Sequence, residues 1–158
     1  MAPNNPLRLQ VADRFVTVLN SIEAGDNYFY KPFKVAKIPI AFEDAKNGPL
    51  YMVFTGEEPG PIEFAGTDLY NEIFIISVQG IVHDRTDLVS KLERAIRDIR
   101  KAINVDSKSG AAGSLGVLTD ECIPPESPEI AYWSEQRDDF AVFEQKYRVL
   151  IHGDFGEL

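Results

Sequence analysis

Residues 72–103 constrain this chain more than any other stretch. The apolar run EIFIISVQGIV passes through His83 and Asp84 into the basic amphipathic segment DRTDLVSKLERAIRDIRKAI with almost no linker. Over residues 70–82, Ile73, Phe74, Ile75, Ile76, Val78, Ile81 and Val82 are nearly continuous, the pattern of a central strand buried on both faces. Such a strand needs a cover on each side. A helix expected over residues 85–103 supplies one, because Leu88, Leu92, Ala95, Ile96, Ile99 and Ile103 fall on one stripe at helical spacing. Asp84 or Thr86 is placed to cap its start, and Arg100 and Lys101 suit the negative pole at its end.

The flanking segments add a second helix and further strands. Leu9, Val11, Ala12, Phe15, Val16, Leu19 and Ile22 recur at three-and-four spacing, predicting a helix over residues 6–23 with Pro6 in its first turn and Gly25 at its C-cap. Residues 28–39 read as an edge strand limited by Pro32 and Pro39. Turn chemistry at residues 45–49 and a strand at 50–54 then suggest a meander. Residues 56–68, GEEPGPIEFAGTD, show neither period and read as an exposed loop or arm. After a flexible SKSGAAGS segment, residues 115–119 look like a short strand. Pro124, Pro125 and Pro128 impose an irregular connection, and residues 140–151 form one long strand or two with a bend near Glu144. The sum is one α+β domain over residues 1–158: a mixed, mainly antiparallel sheet packed by two α-helices, with the arm at about residues 56–68.

At 158 residues one core is the default. A net charge of −9 argues against a general nucleic-acid binder, since the summed field repels phosphate. The single cysteine, Cys122, forms no internal disulfide, and no apolar run reaches membrane-spanning length, so the chain reads as a soluble cytoplasmic product.

Features that resemble active sites have plainer explanations. His83 and Asp84 have only His152 as a further imidazole and no third ligand at metal spacing, so they read as a strand-to-helix corner. Gly110, Gly113 and Gly116 follow a helix and lack the lysine and hydroxyl of a phosphate loop, so they read as a connector. Cys122 has no neighbouring histidine and reads as a structural thiol. The pairs Glu57–Glu58 and Asp138–Asp139 read as solvated charge. The basic helix face is different: Lys91, Arg94, Arg97, Arg100 and Lys101 lie away from the apolar stripe, relieved only by Glu93 and Asp98. The face reads either as plain solvated charge, with pairs such as Glu93 and Arg97 supporting the helix locally, or as a complement to another copy's acidic surface, since residues 120–158 hold ten acids against three bases, a balance of −7. Repeated head to tail with a closing rotation, that contact makes a ring.

Three segments, RLQVADRFVTVLNSIEAGDNYFY, EIFIISVQGIVHD and LVSKLERAIRDIRKAI, in this order resemble the tail terminator and related tail-completion (neck) proteins of long-tailed bacteriophages. The resemblance covers residues 8–152 in outline; residues 73–103 are its most specific part and the AGDNYFY turn comes next. It implies a virion component, assembled in the host cytoplasm, that sits as a hexameric ring on the head-proximal end of the tail tube. The ring stops tube polymerisation and offers the docking surface for the head–tail connector, with no cofactor, no metal and no reaction. The implied partners are further copies of itself, the tail tube protein, the connector, and the sheath protein if the tail contracts. DNA is only passing cargo, and no membrane is involved. On this reading Lys91, Arg94, Arg97, Arg100 and Lys101 form the subunit interface, and Glu57, Glu58, Glu63 and Asp68 of the arm face the tube or the lumen. The alternative is a small non-enzymatic adaptor, or another neck or connector protein, that binds an acidic partner through the basic helix at residues 86–103. A third, a small hydrolase, requires a pocket that gathers His83, Cys122 or the acid pairs.

Overall fold

A computed structural model describes residues 5–56, 62–64, 69–123, 129–132 and 139–154. Its spine is an antiparallel pair, β4 (Leu69–His83) and β7 (Phe140–Asp154), joined by fifteen register pairs from Leu69 opposite Asp154 to His83 opposite Phe140. Each flank of this pair carries split strands. On the β4 side lie β2 (Leu50–Thr55) and β3 (Ile62–Phe64), and on the β7 side β5 (Glu121–Ile123) and β6 (Glu129–Tyr132). The short β1 (Lys34–Ala36) closes the β2 side, giving a seven-stranded sheet of order β1-β2-β4-β7-β5. The α+β expectation holds: the sheet is antiparallel except where β1 joins β2.

Both long helices, α1 (Leu7–Asn20) and α2 (Leu88–Ser107), cover one face of the sheet. The period-two alternation decides which side chains they cover. Phe74, Ile76, Val78 and Val82 of β4 and Ala141, Phe143, Tyr147, Val149 and Ile151 of β7 point to the helices and are buried with Val11, Phe15, Leu92, Ile96 and Ile99. Phe15 meets Tyr147 edge to face at 5.3 Å. The opposite face is covered at one end only, where the 3₁₀ helix Phe42–Asn47 and Ile40 pack on Leu50, Met52, Ile81 and Phe140. No helix among the described residues is long and apolar enough to cross a membrane.

Several local expectations change. The first helix stops at Asn20 rather than residue 23, because Ser21 caps it: its amide donates to Thr17 and Val18 carbonyls and its hydroxyl donates to Val18 O at 2.6 Å. Pro6 is the N-cap, and Gly25 lies beyond the helix end. Only Lys34–Ala36 of residues 28–39 form strand, and they pair with β2 in parallel, not as a meander, because the 3₁₀ helix returns the chain between them. The second helix runs to Ser107 and is capped by Asp87, whose side chain accepts from Ser90 N at 3.1 Å. Asp84 instead closes the turn before it, accepting from Thr86 N, Thr86 Oγ1 and Asp87 N. Residues 115–119 give a one-turn helix, α3 (Leu115–Leu118), not a strand. Residues 140–151 are one strand without a bend, and β6 was not anticipated. Part of the 56–68 arm is β3; residues 57–61 and 65–68 lie outside the described residues.

Gly80 is required where it stands. It faces Phe143 across the ladder, and a Cβ there would lie 2.2 Å from two ring atoms. The ring therefore lies over the glycine, as in aromatic–glycine cross-strand pairs. Gly80→Ala should destabilise the fold by about 1–3 kcal/mol through overpacking. In a Phe143→Leu background its cost should shrink, and chemical denaturation of the four-member cycle measures the coupling.

Candidate functional site

Helix α2 carries the surface that the sequence singles out, and its chemistry begins with a line of small and acidic residues rather than with the bases. Ala95, Asp98, Ala102 and Asp106 fall at intervals of three, four and four, so they share one narrow strip, and all four are buried. Asp98 was expected on the exposed face with Glu93; it is 0% exposed. Its two oxygens accept from Phe29 N at 3.0 and 2.9 Å, and one also accepts from Tyr30 N at 2.9 Å. A buried carboxylate is stable only with such donors, so the connector after α1 is drawn onto α2 at this point. The turn at AGDNYFY is thus a structural clasp, closed by Gly25 N donating to Tyr28 O at 3.0 Å.

The clasp sets three aromatic rings under the basic side chains. Lys91 lies 5.4 Å from the Tyr30 ring centre, Arg94 and Arg97 lie 5.4 and 5.1 Å from that of Phe29, and Lys101 lies 5.2 Å from that of Tyr28. Lys101 Nζ also donates to Asn27 O at 2.9 Å, and Arg100 Nε donates to Gln145 Oε1 on β7 at 3.0 Å. The five bases are therefore brought together as expected, but none is a bare charge in water. They form a ledge in which two guanidiniums lie against the ring of Phe29, which is 45% exposed. Of the four arm acids, Glu57, Glu58 and Asp68 lie outside the described residues, while Glu63 is in β3 opposite Asn71.

The second buried acid of α2 ties the helical layer together. Arg14 of α1 donates to Asp106 through Nε at 3.0 Å and Nη2 at 2.7 Å, and Leu115 N at the start of α3 donates to it at 2.9 Å. Burial pushes this carboxyl up, but the Arg14 and Leu115 bonds outweigh it and hold it below the ordinary carboxylate range. Gly116 follows from the same packing: a Cβ there would meet Ser109 O at 2.1 Å, so this glycine serves close contact and not a phosphate cradle.

Among the described residues the groups nominated for catalysis do not converge, while Glu57, Glu58 and Asp138 lie outside them. His83 pairs with Phe140 and Cys122 with Val149 in the ladder, which sets them roughly 30 Å apart along β7. The acid partner of His83 is Asp139, at 2.6 Å, and not its neighbour Asp84. Asp84 is held at about 2 by the Thr86 and Asp87 bonds. Burial pushes the Cys122 thiol up to about 12, which keeps it protonated and poorly nucleophilic. His152 lies 2.5 Å from Asp120. Among the described residues no group of three or more His, Cys, Asp and Glu is placed to hold a metal ion. The open sheet face holds two adjoining hollows of about 400 and 780 Å³ that share Gln79 and Glu144, where Gln79 donates to the carboxylate at 2.9 Å.

Signals for the two buried acids were present in the sequence as a second stripe beside the apolar one; reading Asp98 by charge alone hid it. Asp98→Ala should cost about 1.5–3 kcal/mol, the range for hydrogen bonds to a charged group. Asp106 gives a pH signature. Its folded value lies below the unfolded one of about 3.9, so its contribution is present above that pH and fades as pH falls through the folded value. Asp106→Asn should therefore flatten the acid limb of the stability profile below about pH 4. No protein-family model matches the chain, and no curated protein matches it.

Proposed function

We propose that this chain is a structural, non-catalytic component of a tailed-phage virion. It forms a ring, hexameric by its resemblance to tail terminators, on the head-proximal end of the tail tube. There it stops polymerisation and presents the docking surface for the connector. The observation that carries the reading is the ledge on α2, an exposed Phe29 with Arg94 and Arg97 against its ring and its backbone amide held by a fully buried carboxylate. Exposed aromatic and arginine side chains with little freedom left to lose are the composition of interface hot spots. The order of helix, sheet and basic helix and the acidic balance of residues 120–158 support the same reading. In such a ring the bases steer neighbouring copies into register more than they add affinity.

Native mass measurement and electron microscopy of the purified full chain test this directly, with closed rings as the expected species, alone or on isolated tail tubes. Arg97→Glu should weaken association roughly tenfold at low salt, on the order of 1.4 kcal/mol, and less at high salt where charge is screened. A protein that stays monomeric and does not bind tubes, yet captures an acidic partner through the ledge, would move the assignment to an adaptor.

A further inference from the structure

The sheet ends in two edges of opposite chemistry. Among the described residues, β1 pairs only with β2, and β5 and β6 pair only with β7, so the outer sides of all three present unpaired backbone groups. At the first edge Phe33 and Ile38 flank β1 and are 51% and 62% exposed. Lys34 of β1 is exposed and has no ion-pair partner among the described residues, whereas Lys31 and Lys37 beside it are tied to Glu23 and Asp13. At the second edge Glu121 of β5 and Glu129 of β6 are exposed and also have no ion-pair partner among the described residues, and Ile130 is 39% exposed.

Short strands, lysine and proline ordinarily protect an edge against indiscriminate pairing, and Pro32, Lys34 and Pro39 serve that purpose here. They do not account for two large apolar side chains left in water beside β1. We infer that the β1 edge of one copy docks on the β5–β6 edge of a second copy of this chain. Phe33 and Ile38 of one lie along this edge of the next, and Lys34 reaches one of its two glutamates, Glu121 or Glu129, which stand about 20 Å apart along β7. Charge complementarity selects the partner: a lysine without an ion-pair partner among the described residues lies at one edge and two such glutamates at the other, so like edges repel and unlike edges attract. Backbone pairing across the seam supplies affinity while the alternating side chains supply specificity. Because two different edges meet, every added copy leaves one edge of each kind free, and the contact propagates. The inference rests on the ring proposed above for closure into a ring instead of an open filament. The connector that sets Phe29 into the ledge also carries the β1 edge, since residues 29–38 run from Phe29 through Phe33 to Ile38.

Cross-linking tests the seam in the full chain with Cys122→Ser, so that only introduced thiols react. Lys34→Cys combined with Glu121→Cys, or with Glu129→Cys, should give a ladder of covalent multimers on oxidation, while either substitution alone gives at most dimers. Lys34→Glu, and the reversal to lysine of whichever glutamate cross-links, Glu121 or Glu129, should each weaken self-association roughly tenfold, and the two together should restore it. Rings that form unchanged in both reversals, with no ladder from either cysteine pair, would overturn the edge contact and leave the ring reading standing. A chain that remains monomeric at every concentration and on tubes would overturn both.

Discussion

Everything in this fold hangs on the β4–β7 ladder. Fifteen consecutive pairs make a ribbon of about 50 Å, longer than the roughly 30 Å of α2. Neither helix alone spans it, and each long edge is flanked by two shorter strands rather than one. The ladder also fixes the separation of everything attached to it. His83 and Cys122 are held apart because their partners on β7 are nine residues apart, and the two outer edges carry different side chains because different segments reached them.

Helix α2 does two jobs that the ladder makes compatible. Its apolar stripe seals the centre of the core, and beside that stripe Asp98 and Asp106 bind parts of the chain that have no strand to join. Buried carboxylates are costly when unpaired, so each must be met by donors from elsewhere, and each therefore specifies where a neighbouring segment lies. Asp106 settles α1 and α3. Asp98 settles the connector, and through it the position of Phe29 among the arginines. The exposed ledge is in this sense the outer side of a buried interaction.

Hydrophobic period was the legible part of the sequence. The continuous run at Ile73–Val82 announced a central strand, though not one buried on both faces, since Ile73 and Ile75 are only partly covered; the stripes through Phe15 and Leu92 announced both helices, because burial of apolar surface dominates these choices. What failed was decided by polar contacts between distant residues. Residues 28–33 have strand composition, yet Asp98, some seventy positions away, draws them out of the sheet. Residues 115–118 have the composition of a strand, yet Asp106 holds the amide of Leu115 as the start of a helical turn. The basic side chains of the ledge were found from charge pattern, whereas their aromatic partners were not, because stacking between α2 and the connector has no local signature.

Asp98 makes the ledge a preformed surface, and we propose that the domain meets copies of itself through its ledge and sheet edges. Hydrogen exchange on the full chain, dilute and then assembled, tests it most directly. Phe29 and Tyr30 amides should exchange slowly in both states because Asp98 holds them, and the outward amides of Lys34–Ala36 and Glu121–Ile123 should slow only on assembly. Rapid exchange at Phe29 and Tyr30 in the dilute protein, or strand edges that exchange as fast after assembly as before it, would contradict the account.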